Sequence, residues 1–302
     1  MSVIFEQAHW FGPAKNLLGI VTLPPPGTPL RGPGVVLMNP GTLHRVGGAR
    51  LNVRLARCLS ALGFPSIRFD LSGLGDSEPR HDVRPYLESM AADVQCAMDH
   101  LTTLSGITRF ALVGHCSGAA VSYTAALSDA RVMALVQIEG FAYRTRLYQL
   151  YRWRRILFNT ENWLALLRGE KNLRPILRRG INALLGKKAQ ADLPVVKAQS
   201  IEAARGQIRG LADLLPPQAE MKLGLGQLVE RRVRMLNIFA GGDHHYYSYR
   251  KQFADAFVDL DFMGLLELEH VPAADHYFSA PLHQLWLDDR IAKMIGKSAQ
   301  EF

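Results

Sequence analysis

Residues 109–121 read Arg-Phe-Ala-Leu-Val-Gly-His-Cys-Ser-Gly-Ala-Ala-Val. Phe110 to Val113 is a short apolar run closed by glycine, the pattern of a buried strand. Gly118 to Ala126 is small, apolar and compatible with a helix. Gly114-His115-Cys116-Ser117-Gly118 is therefore a sharp strand-to-helix turn with cysteine at its apex. The two glycines allow a backbone too tight for side chains. A thiol held at the start of a helix feels the partial positive charge there, which favours thiolate. The amide of Ser117, next in line, is placed to donate to an oxyanion. The competing account makes Cys116 a small buried hydrophobe. The strand before it, the helix after it and the partners further along favour a nucleophile.

Outward from this turn the chain alternates strands and helices. Val3 to Phe11 and Leu17 to Leu23 read as an opening hairpin, and Val35 to Met38 as a strand buried on both faces. Arg50 to Leu62 carries a helical stripe, Ser66 to Asp70 is the next strand, and Met90 to Leu104 the next helix. After the elbow comes a strand over Val132 to Ile138. Short connections in this order predict a doubly wound, mostly parallel α/β sheet. The rhythm stops after Glu139-Gly140, and residues 141–230 show helical periodicity only. It returns with strands at 233–240 and 265–271 and helices at 249–258 and 282–294. The expected organisation is a core in two parts, 1–140 and 231–302, around a helical cap at 141–230.

A thiol nucleophile needs a base to take its proton and a third group to orient that base. Open α/β sheets place such groups at the carboxyl ends of later strands. The strand at 233–240 runs into Gly241-Gly242-Asp243, and the next into a loop carrying Asp275-His276. The order Cys116, Asp243, His276 gives nucleophile, acid and base. Asp275 adjoins His276 too closely in sequence to orient its ring. His244 and His245 have no further ligand cluster beside them, so no metal is expected. The second oxyanion donor is expected from Pro40-Gly41-Thr42, with the Thr42 amide joining that of Ser117. Gly41, His44, Arg45 and His115 are the candidate substrate-binding residues. Arg45 is open to two readings, a hold for a substrate carboxylate or phosphate and a solvated surface arginine. Gly73-Leu74-Gly75 lacks a third glycine, so Asp70 to Ser77 reads as a structural turn and no nucleotide cofactor is expected.

The 302 residues are 48% hydrophobic with mean hydropathy 0.00 and a formal charge of +8. No apolar run reaches the roughly 18 residues of a membrane span, and the N-terminus lacks the features of a signal peptide. Three cysteines, Cys58, Cys96 and Cys116, show no metal spacing and point to a reducing cytoplasm. Much of the positive charge sits at 144–188, where twelve Lys and Arg face two Glu with aromatics between them. That stretch reads as a solvated lid, a dock for coenzyme A or an acidic carrier protein, or a membrane-surface helix. Nucleic acid is not expected, because no recognition motif accompanies the charge.

Taken together, Asn39-Pro40-Gly41-Thr42, Asp70 to Ser77, the elbow, Gly242-Asp243 and Asp275-His276 resemble the α/β-hydrolase superfamily from about residue 15 to 295. Leu43-His44-Arg45-Val46-Gly47 and the Cys-Ser-Gly-Ala elbow are similar to exosortase-system-associated hydrolases of bacteria. Two departures stand out: cysteine for the usual serine, and Pro40-Gly41 for the usual His-Gly. The resemblance implies an activated acyl substrate, a thioester or an activated ester or lactone, and an acyl-Cys116 intermediate. Dienelactone hydrolases and polyhydroxyalkanoate synthases are cysteine-bearing members and illustrate hydrolysis and acyl transfer. Both outcomes stay open, as does a catalytically silent binding protein of the same fold.

Overall fold

A computed structural model describes residues 5–81, 84–158, 214–241 and 246–300. Eight strands form one sheet: β1 (Phe5–Phe11), β2 (Leu17–Leu23), β3 (Gly34–Met38), β4 (Ser66–Phe69), β5 (Phe110–His115), β6 (Val132–Ile138), β7 (Arg234–Ala240) and β8 (Leu266–Val271). Their spatial order is β1-β2-β4-β3-β5-β6-β7-β8. The opening hairpin joins antiparallel through β2 and β4, and every later pair is parallel. The sheet is the doubly wound, mostly parallel one expected from the sequence.

Its central strands are apolar throughout because both faces are covered. Val36, Met38, Ile67, Phe69 and Leu112 pack into one core with α2 (Tyr86–Ser105), α3 (Ser117–Ser128) and α5 (Gln218–Glu230). The alternate residues Val35, Leu37, Ala111 and Val113 pack into a second core with α1 (Leu51–Ala61) and α7 (Pro281–Ala299). Fully burying one such side chain contributes about 1.5–3 kcal/mol. Between β6 and β7 the described residues include α4 (Arg146–Phe158), capped by Thr145 Oγ1, which accepts the Tyr148 amide at 3.0 Å. The 159–213 part of the expected cap lies outside the described residues.

Three helix boundaries depart from the sequence reading. α2 begins at Tyr86 rather than Met90, since Pro85 stands just before it and cannot continue a helix backwards. α6 is only Gln252–Ala256, because Phe257 leaves helical geometry at φ −128°. α7 runs on to Ala299, so its last turn lies beyond the expected Met294.

The tightest packing lies at the elbow. A Cβ on Gly114 would sit 2.2 Å from the Gly118 carbonyl oxygen, and one on Gly118 would sit 2.6 Å from the Asn39 carbonyl oxygen. Both obstacles are backbone. Gly118→Ala is therefore expected to destabilise by about 1–3 kcal/mol, the usual cost of overpacking. Gly296→Ala, in α7 with open space around the added methyl, is expected to stabilise by about 0.5–1 kcal/mol. Urea unfolding of the two variants checks the opposite signs.

Candidate functional site

β5 carries the chain into the middle of the sheet edge, and α3 must leave it immediately. Cys116 makes that turn with φ 54° and ψ −118°, a conformation that side chains rarely adopt. Its N–H donates to Ile138 O at 2.8 Å, and the Ala119 N–H donates to its carbonyl at 2.9 Å. The thiol is half-buried at the start of α3.

The loop after β8 brings His276 beside Cys116, whose thiol is the leading influence on the imidazole. Its Nδ1–H donates to Glu139 Oε2 at 3.2 Å, which leaves Nε2 for Cys116. Glu139 stands one residue past β6, buried, with φ 51°. Its other oxygen, Oε1, accepts the Ala240 N–H from the end of β7. The bonds to Cys116 and to Glu139 push the His276 imidazole up to about 10, against the opposing effect of burial. The acid that the structure places on His276 is Glu139. Asp243, the acid expected from the sequence, lies outside the described residues.

The sequence does carry a signal for Glu139: one carboxylate directly after an unbroken apolar strand, at the edge where sites form. Tyr246 was not anticipated. Its hydroxyl donates to Gly140 O and accepts the Ala142 N–H, each at 2.8 Å, pinning the chain just beyond Glu139. Burial holds its phenol well above the ordinary range.

Asp275 does not orient the ring. It accepts the amides of Tyr277 at 2.8 Å and Ser279 at 3.1 Å and so shapes the loop that carries His276. His115 is no substrate contact either: it is buried, and its Nε2–H donates to the His276 carbonyl at 2.9 Å. Burial and the neighbouring His276 press its imidazole down to about 3, so it stays neutral.

The loop after β3 supplies the other wall. Asn39 fixes its base, donating to Phe69 O at 3.0 Å and accepting from Asn52 at 2.6 Å. The Gly41 N–H donates to Ser117 Oγ at 2.5 Å. Thr42 and His44 are exposed beyond it. Arg45 is committed elsewhere: its guanidinium pairs with Asp70 at 2.5 Å and Asp76 at 2.7 Å, and its amide also donates to Asp70. The Asp70–Ser77 turn thus anchors the loop after β3, and Arg45 is not a free hold for a substrate anion.

Among the described residues no three His, Cys, Asp or Glu side chains gather as a metal centre, and no helix is long and apolar enough to cross a membrane. His244 and His245 lie outside the described residues, as does most of the basic stretch at 144–188.

Comparison with known proteins agrees with this architecture. The chain is 33% identical over 130 residues to the uncharacterized protein YcjY of Escherichia coli, a match covering 41% of this chain and 40% of that protein. The match therefore spans well under half the length of that relative. A hypothetical protein from Pseudomonas aeruginosa is similar in structure at TM-score 0.58 and 18% identity, over 99% of this chain and 95% of its own. An α/β serine hydrolase without lid from Xanthomonas campestris aligns at TM-score 0.52 and 16% identity, covering 98% of this chain and 95% of that one. Dienelactone hydrolase from Anabaena variabilis aligns at TM-score 0.52 and 15% identity, over 97% and 96%. The sequence profile of the alpha/beta hydrolase fold matches residues 34–197, more than half of the chain, and the protein belongs to that family.

Proposed function

We propose that the protein is a cysteine-dependent acyl hydrolase, with Cys116 as nucleophile, His276 as base and Glu139 as the acid that orients it. The observation that carries the reading is a strained elbow that presents Cys116 beside a histidine whose Nδ1 is bonded to a buried carboxylate. His276 already holds the thiol proton as sulfur attacks the carbonyl carbon. The C=O pair moves onto oxygen, facing the Ser117 amide at the start of α3. The intermediate collapses, the leaving group departs with the proton from His276, and acyl-Cys116 remains. Water attacks next, losing a proton to His276, and thiol and acid product are regenerated. An amine or alcohol in place of water makes the same intermediate a transferase step.

The charge balance suits this cycle. The leading cause of the raised His276 value is its bond to Cys116. Acylation neutralises the sulfur, so the imidazolium loses part of its support when it must release its proton to the leaving group. Attack by a thiol on a donor that is already activated is close to level in free energy, whereas attack on an ordinary ester is uphill. The substrate class is accordingly a thioester or an activated ester or lactone.

An activated acyl probe such as p-nitrophenyl acetate should leave an acyl adduct on residue 116, read by peptide mass spectrometry. Cys116→Ala should abolish the adduct and the turnover together. An adduct on Cys58 or Cys96 with turnover intact in Cys116→Ala would remove the thiol from the mechanism.

Glu139→Gln should lower turnover by about 10²–10⁴-fold in a folded protein, because the imidazole tautomer is no longer fixed. Asp243→Asn should change it little, and the reverse ranking would return the acid to Asp243. Because His276 is raised above its ordinary value, it stays protonated from low pH up to about 10 and becomes neutral above that. Imidazole nitrogen NMR should show this titration moving to lower pH in Glu139→Gln. His115 should remain neutral down to about pH 3 in both proteins.

A further inference from the structure

Ser117 carries a hydroxyl that the acyl cycle above does not use. It is buried at the first position of α3, directly after the nucleophile. Its Oγ accepts the Gly41 N–H at 2.5 Å, a bond joining elements 76 residues apart. Around it the loop after β3 is held at two other places, Asn39 at its base and Arg45 at its far end. Residues 41–44 between these anchors are exposed. Gly41 itself has φ 53° with open space where a side chain would stand. Among the described residues, the bond to Ser117 is the hold that ties Gly41 to the elbow.

We infer that the Ser117 hydroxyl is a positioning residue for acyl transfer: it fixes the Pro40-Gly41-Thr42 turn against Cys116, so that this turn can offer a second donor to the oxyanion. The inference rests on the proposed thiol mechanism and concerns one half of it. Acyl chemistry puts charge on the carbonyl oxygen and needs the turn in place. Alkylation of the same thiol forms an S–C bond and expels a halide, with no oxyanion. The two reactions share Cys116 and His276 and differ in whether they use the loop.

Ser117→Ala and Ser117→Thr are compared with the unaltered protein in two reactions. One is turnover of p-nitrophenyl acetate, read as kcat and KM. The other is the rate of iodoacetamide alkylation at residue 116 across pH, read by mass spectrometry. Ser117→Ala should lower kcat by about 10-fold or more, short of the 10²–10³ seen when an oxyanion donor itself is removed. KM and the alkylation rate with its pH profile should be unchanged, and Ser117→Thr, which keeps the hydroxyl, should recover most of kcat. An unchanged kcat in Ser117→Ala would overturn the inference. A raised kcat would overturn it too, showing that the hydroxyl only ties up the Gly41 amide and does not place the turn. Alkylation falling in step with kcat would reduce Ser117 to a structural support of the elbow. If the unaltered protein forms no acyl adduct on Cys116, the thiol mechanism falls and this inference with it. If the adduct forms and all three proteins turn over alike, only the role of Ser117 is lost.

Discussion

The start of α3 lies against the end of β3 with backbone touching backbone. Gly118 faces the Asn39 and Met38 carbonyls so closely that no methyl group fits between them. That approach forces the reversed backbone of Cys116, aims the first amides of α3 at the space above the sheet edge, and brings the loop after β3 within reach of the nucleophile. A strained φ at a non-glycine residue costs of the order of 1–3 kcal/mol. It persists because two buried cores, one on each face of β3 and β5, hold both strands in register.

Buried carboxylates around this point are each given partners, as low dielectric requires. Asp70 receives Arg45 and the Asp76 amide; Asp93, on α2, receives Ser72 and Arg80; Glu139 receives His276 and the Ala240 amide. The first two bind loops to the frame, and the third orients a base. What separates them is the partner. An arginine keeps its charge, so the pair is a fixture, whereas an imidazole exchanges its proton and the pair can take part in chemistry.

Where the sequence was legible, the physics was local. Continuous apolar runs such as Val35–Met38 announced strands buried on both faces, and glycines four apart announced the elbow. Asp70 to Ser77 was correctly read as a structural turn. The residues misassigned were those whose meaning depends on direction. His115 reads as a residue beside the nucleophile, but its ring turns back to a carbonyl 161 positions away. Arg45 reads as a rim cation until Asp70 and Asp76 are seen to enclose it. Chain order points to the strand after the insertion for the acid, whereas Glu139 follows β6, which lies between β5 and β7. Sequence order named the kind of partner, and spatial order chose which one.

The bond from His115 to the carbonyl of His276 also has a mechanical meaning. It rivets the nucleophile's turn to the base's loop, and the Tyr277 ring, set edge-on to both imidazoles, lies across the joint. The spacing between thiol and imidazole is therefore set by the frame of the fold, through a tie that runs from the nucleophile's turn to the base's own backbone.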